Sequence, residues 1–162
     1  MSEQAMASDL IKFIVLDGED LEIASAHLQD AVVKTADLIW LPREKRLVIG
    51  LNRFDWEAAV AEPPQYRRRR AALRFERVMA CKSKAIDLNN PDQVLNLLAV
   101  EFAERDAPSG TVTLTFSGGA ALRLEVECLE AELADLGPAW TCAKCPDHAL
   151  DTVDGVEAVR EA

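Results

Sequence analysis

Apolar and polar residues alternate through much of this chain, the mark of strands with one buried face. Ala36, Leu38 and Trp40 share one side of a first strand, and Leu47, Ile49 and Leu51 share one side of a second. Pairing Trp40 with Leu47 and Leu38 with Ile49 sets all six on one face and leaves Pro42-Arg43-Glu44-Lys45 as a four-residue loop. Ile39 and Val48 fall on the opposite face, which predicts partial cover there too. A third strand carries Ala71, Leu73 and Phe75 in phase. The phase slips at Glu76-Arg77, because Val78 and Ala80 resume on even numbers, and a bulge explains such a slip. In the last hairpin Val112, Leu114 and Phe116 alternate with threonines, and Leu122, Leu124, Val126 and Cys128 with charged residues. A three-residue loop, Gly118-Gly119-Ala120, pairs Phe116 with Leu122 and keeps one apolar face, with one glycine left-handed. Val94–Phe102 is apolar and fits helix or strand.

Helical spacing is confined to two places. Asp17 is a cap for a helix over Gly18–Asp30, with Glu19, Asp20 and Glu22 near its positive end and Leu21, Ala24 and Leu28 on one face. Leu129–Leu136 reads as a short helix closed by Gly137 and stopped by Pro138. Glu62-Pro63-Pro64-Gln65 and Asn89-Asn90-Pro91-Asp92 break the chain. The pattern predicts an α+β domain over residues 10–140, with residues 1–9 and 141–162 flexible or weakly packed. Six or seven antiparallel strands form a strongly bent sheet or partly open barrel, closed by the N-terminal helix and the short C-terminal helix. A pleckstrin-homology-like roll is one candidate on strand order.

The 162 residues are 49% hydrophobic and 28% charged, an ordinary globular balance. Runs such as Leu97–Val100 fall far short of the roughly 20 residues that span a bilayer, and Met1-Ser2-Glu3-Gln4 opens no secretory signal. The expected location is the cytoplasm, with no membrane partner. Charge changes the picture more. The net charge is −10, yet Lys34–Lys84 sums to +7 and the remainder to −17. Such asymmetry marks an interaction surface, or lets basic strands pair with acidic ones inside the fold.

Arg67-Arg68-Arg69-Arg70, followed by Arg74, Arg77, Lys82 and Lys84, is the most unusual local feature. Arginine forks suit phosphate or carboxylate. On a strand Arg68 and Arg70 point one way and Arg67 and Arg69 the other, so at most half line one surface. Asn52-Arg53-Phe54-Asp55-Trp56-Glu57 ends a strand, where polar and aromatic groups build a pocket rim or close the sheet. The candidate binding residues are therefore Arg68, Arg70, Arg74, Asn52, Arg53 and Trp56. Tyr66, Phe75 and Trp56 are available for stacking on a nucleic acid, but the acidic whole repels polyanions.

Catalytic patterns are sparse. His27 and His148 are the only histidines, and no Gly-x-Ser-x-Gly elbow, phosphate-binding loop or dinucleotide fingerprint occurs. Asp55 and Glu125 are the carboxylates available to a small enzyme, although Glu125, Glu127 and Glu130 also fit a solvated face or salt bridges to the basic strand. Cys142, Cys145 and His148 have metal-like spacing but lack a local fourth ligand, so no zinc site is expected in the monomer. No cofactor is expected.

Four stretches carry a family resemblance: Ser25–Val32, Leu47–Trp56, Arg68–Phe75 and the run from Gly110 to Trp140. Together they resemble an uncharacterised bacterial family, domain-of-unknown-function family 2948, over roughly residues 10–140. The Cys142/Cys145 pair lies outside the resembling stretch. The resemblance implies no activity, ligand or catalytic residue. The leading expectation is a non-catalytic binding or adaptor module for a protein or small anionic partner. The alternatives are a nucleic-acid-binding protein acting through Arg67–Arg70 and a small carboxylate enzyme.

Overall fold

Asp17 starts the first helix through its side chain. Its carboxylate accepts from the Asp20 N–H at 2.8 Å, and α1 runs Gly18–Leu28 with Leu21, Ala24 and Leu28 buried. The computed structural model describes residues 10–142. β1 (Lys12–Val15) precedes α1; β2 (Ala31–Lys34) follows it. A 3-10 turn at Thr35–Asp37 leads into β3 (Leu38–Leu41) and β4 (Arg46–Phe54). A one-turn helix, α2 (Trp56–Ala59), precedes β5 (Arg67–Phe75) and β6 (Val78–Lys84). Then come β7 (Val94–Glu104), β8 (Gly110–Phe116), β9 (Ala121–Val126) and β10 (Ala131–Thr141).

These strands form one antiparallel sheet in the order β1-β10-β5-β4-β2-β7-β8-β9-β6, with β3 also on β4. Its two ends, β1 and β6, do not meet, so the sheet is open. The β2–β4 ladder is a single pair, Val32↔Asn52, while β3 lines Leu38–Leu41 against Ile49–Arg46. The 3-10 turn between them frees β2 to pair along β7 instead. The sheet thus has two wings, β1-β10-β5-β4 and β7-β8-β9-β6. Ile49, Leu73 and Leu133 from the first share one core cluster with Leu114, Leu122 and Leu124 from the second. Burying both inner faces together requires the bend. α1 lies on β7, where Ser25 Oγ accepts from the Val100 N–H at 3.0 Å.

The β3–β4 hairpin has the expected register, with Trp40 opposite Leu47 and Leu38 opposite Ile49. Ala36 does not join that face: it sits in the 3-10 turn and is exposed, because the chain must turn there toward β7. Ile39 is 47% exposed, so the cover expected on its face is missing over that residue. The phase slip at Glu76-Arg77 falls at a corner of the chain, and the register irregularity lies just beyond it, between Val78 and Ala80 of β6. Arg77 takes φ 59°, and the chain passes from one wing to the other. Val94–Phe102 is strand, within β7.

The last hairpin keeps its apolar face but shifts its register. Leu114 pairs with Leu122, and the Phe116 N–H donates to the Ala120 carbonyl at 2.8 Å. The loop is Ser117-Gly118-Gly119, and both glycines have positive φ, 74° and 80°. Two adjacent left-handed positions suit the Gly-Gly pair, and they pull the turn one residue earlier than expected.

The C-terminal helix expected over Leu129–Leu136 is not formed; this segment is β10. Leu129, Ala131 and Leu133 alternate as buried residues, and the inward sequence continues with Asp135. A charged residue on the inner face hides the two-residue period and makes the segment resemble a helix. The exposed edge of β5 offers it a ladder of backbone partners, which decides for strand. Gly137 (φ 108°) does not cap a helix but lies in the irregularity between Asp135 and Ala139, where a strand also tolerates proline.

Candidate functional site

The inner face of β4, β5 and β10 is apolar at one end and charged at the other. Rows Leu47/Phe75/Ala131 and Ile49/Leu73/Leu133 give way to Leu51/Ala71/Asp135 and then to Arg53 opposite Arg69. Two guanidiniums facing each other across strands repel, and burial makes this worse. Arg53 is 0% and Arg69 1% exposed. Carboxylates resolve the conflict. Arg53 grips Asp135 in a fork, Nε to Oδ1 and Nη2 to Oδ2, both at 2.8 Å. Asp135 Oδ2 also accepts from the Ile11 N–H at 2.8 Å, which ties the N-terminal segment to this pair.

Asp55 holds the second arginine. Its Oδ2 accepts from Arg69 Nε and Arg67 Nε, each at 2.8 Å, and its Oδ1 accepts from the Ala58 N–H at 3.1 Å, capping α2. Burial pushes the Asp55 carboxyl upward. The hydrogen bonds from Arg69, Arg67 and Ala58, with the charge of Arg53, outweigh it and bring its pKa down to about 2. This carboxylate stays ionised at neutral pH and acts as a clasp, not as a proton donor.

The outer face of the same strands is also compensated. Arg68 Nη1 donates to the carbonyls of Asp30 (3.1 Å) and Asn52 (3.3 Å). Arg70 donates to Asn52 Oδ1 at 3.3 Å and pairs with Asp37 at 3.2 Å. It lies so close over Gly50 that a Cβ there would sit 2.6 Å from Arg70 Nη2. Arg74 pairs with Glu76 at 2.8 Å and Glu132 at 3.6 Å, and Arg46 joins Glu76 at 2.9 Å. Phe54 is fully buried, with Trp56 edge-on to it (centroids 4.7 Å), Tyr66 at 6.4 Å and the Arg68 guanidinium 5.9 Å above its ring. Trp56 Nε1 donates to the Gln29 carbonyl at 3.2 Å.

The six residues proposed from sequence therefore occupy different places. Arg53 is internal. Asn52, Arg68, Arg70 and Trp56 form one outer cluster around the strand ends, and Arg74 lies in a separate ladder further along β5. The alternation expected for Arg67–Arg70 is present. Asp55 and Asp37, from the connections after β4 and β2, are acidic partners of Arg67, Arg69 and Arg70, and Glu125 and Glu127 are engaged elsewhere. Glu127 pairs with Lys45 at 2.8 Å, and Glu125 accepts from Thr111 Oγ1 at 3.1 Å. The Lys45 hydrogen bond and charge lower the Glu127 pKa. Sequence reasoning missed Asp135; reading Leu129, Ala131, Leu133 and Asp135 as one alternating set would have found it.

A second basic region is built differently. On the outer face of the other wing Lys82 lies directly opposite Arg123, and Lys84 opposite Ala121. Thr113 is the neighbour of Arg123 on β8. Lys82, Ser83, Lys84, Thr113, Ala121 and Arg123 line a depression of about 280 Å³. Lys82, Lys84 and Arg123 are exposed, and none has an ion-pair partner among the described residues. No group of metal-binding side chains occurs among the described residues. Cys142 is half-buried, while Cys145 and His148 lie outside the described residues.

Among the described residues the class of domain is an open, bent antiparallel sheet with one long helix and an internal arginine–carboxylate clasp. Residues 11–148 match the family model "Protein of unknown function (DUF2948)", and the chain belongs to this family. The match reaches past Cys142 and Cys145, further than the stretch that carries the resemblance in sequence. No curated protein matches the chain. No helix among the described residues is long and apolar enough to cross a membrane.

Proposed function

We propose that this domain is a non-catalytic binding module for an anionic partner, and that its working surface is the β6–β9 face rather than the arginine run. One observation carries the reading: the arginines of β5 meet carboxylates or carbonyls of the chain itself, whereas Lys82, Lys84 and Arg123 converge with no carboxylate partner among the described residues. A like-charge cross-strand pair costs stability, so its presence is better explained by a ligand than by folding. The nucleic-acid reading through Arg67–Arg70 is weaker, because binding there requires breaking internal ion pairs. The carboxylate-enzyme reading is weaker too, because Asp55 is locked among guanidinium donors and Glu125 faces a threonine. For the architecture we keep the pleckstrin-homology-like roll as a proposal, supported by the bend and the open sheet.

The test is titration of the full chain at near-physiological salt with three anionic probes: polyglutamate, an RNA pool and inorganic pyrophosphate. Saturable binding of at least one, lost in Lys82→Glu/Arg123→Glu and kept in Arg68→Ala, is the expected result. Binding lost only in Arg68→Ala/Arg70→Ala transfers the site to the arginine run. Absence of binding to every probe overturns the proposal.

A further inference from the structure

We infer that the β6–β9 face recognises a compact polyanion of diphosphate size. The inference rests on the binding-module reading and adds the chemistry of the ligand. Three cations surround the depression. One carboxylate neutralises one of them, whereas a diphosphate with roughly three charges matches all three, and its many oxygens match their many donors. Arg123 supplies a planar fork suited to phosphate, and Lys82 and Lys84 supply mobile point charges from the neighbouring strand. The Thr113 hydroxyl is a further donor in the lining. Ala121 sits where a larger side chain would fill the space beside Arg123 and opposite Lys84. At about 280 Å³ the depression sits just below the roughly 300–1,000 Å³ of pockets that enclose drug-sized ligands. That volume limits the ligand to a small one, and the three cations at its rim supply the preference for an anion.

Two opposing effects are smaller than this local match. The net charge of −10 repels anions at long range, but near-physiological salt screens charges beyond about 8 Å. Within that range three cations outnumber the one acid of the same β9 face, Glu125. Glu101 is the nearest acid along the row, across Thr113 and so roughly 9–10 Å from Arg123 in strand spacing. Glu125 shares the face of Arg123 two residues along β9, roughly 7 Å away; it accepts from the neutral Thr111 hydroxyl, so one acid stands against the three cations. The competing explanation is edge protection, since β6 ends the sheet and lysines discourage pairing with another strand. Edge protection accounts for Lys82 and Lys84. It leaves Arg123 unexplained, because β9 is an inner strand paired on both sides.

Calorimetric titration of the full chain with inorganic pyrophosphate, a nucleoside diphosphate and orthophosphate decides it. Pyrophosphate is expected to bind about tenfold or more tightly than orthophosphate, the value of one added charge-assisted contact. Arg123→Gln and Lys82→Ala should each weaken it by about tenfold, and Thr113→Val by a few-fold. Circular dichroism checks that each variant is folded. A nucleoside diphosphate that binds like pyrophosphate assigns recognition to the phosphates alone; tighter binding adds a contribution from the base. If polyglutamate or RNA binds and loses affinity in Lys82→Glu/Arg123→Glu while pyrophosphate does not bind, the diphosphate inference falls and the binding module stands. If no probe binds, both fall, and the lysines are edge protection.

Discussion

The two basic regions of this domain have the same kind of side chain and opposite treatment. At the end of β4 and β5, Arg53, Arg67 and Arg69 are drawn inward and clasped by Asp55 and Asp135. On β6 and β9, Lys82, Lys84 and Arg123 stand on the surface without carboxylate partners among the described residues. The difference teaches that charge density in a sequence does not locate a binding surface. What matters is whether the fold brings counter-charges to it. Four consecutive arginines attract attention, yet a buried guanidinium must be paired, so the most conspicuous charges are the ones the fold consumes.

Breaking the clasp should have the largest effect. Asp135→Ala leaves Arg53 buried without its counter-charge and removes the acceptor for the Ile11 N–H. The expected cost is about 3–5 kcal/mol, read as a lower midpoint in urea unfolding. Replacing the pair together, Arg53→Met/Asp135→Leu, should recover much of that loss. A double variant as unstable as Asp135→Ala would show that the apolar pair cannot pack at this end of the core.

Acid separates the regions next. The Asp55 carboxyl has its folded pKa lowered from 3.8 to about 2, so its contribution is fully present above pH 4 and disappears as pH falls toward 2. A shift of nearly two units corresponds to roughly 2 kcal/mol. Urea midpoints measured from pH 5 to pH 2 should fall more steeply for the parent than for Asp55→Asn, which starts lower. Parallel curves would assign the acid loss to other carboxylates.

The smallest effect should have the opposite sign. Arg123→Glu turns a repulsive cross-strand pair with Lys82 into an attractive one and should stabilise the domain by about 0.2–1 kcal/mol. The same variant should abolish pyrophosphate binding. A rise in thermal midpoint together with lost binding would identify a face that sacrifices stability for a ligand. A fall in midpoint would show that Arg123 has a structural role.

Legibility followed local pattern. Asp17, Leu21, Ala24 and Leu28 specified α1, because capping and helical spacing act over a few residues. Trp40↔Leu47 and Leu38↔Ile49 followed from alternation on both strands and a short loop. The residues of the candidate sites were visible as types but not as groups. Arg67–Arg70 were seen to alternate, while their partners Asp55 and Asp37 lie in connections whose positions no local rule supplies.

By itself the sequence determined an antiparallel, α+β character, the N-terminal helix, the β3–β4 register and the alternation of the arginines. Each depends on neighbours in the chain or on a short loop. Tertiary structure alone decided that Leu129–Leu136 belongs to a strand, since the free edge of β5 supplied its partners. It alone brought Asp135 to Arg53 across 82 residues of chain and set Arg123 beside Lys82 from a separate hairpin. Long-range electrostatic partners are chosen by sheet order, and sheet order comes from burying two inner faces together, a property of the whole chain rather than of any segment.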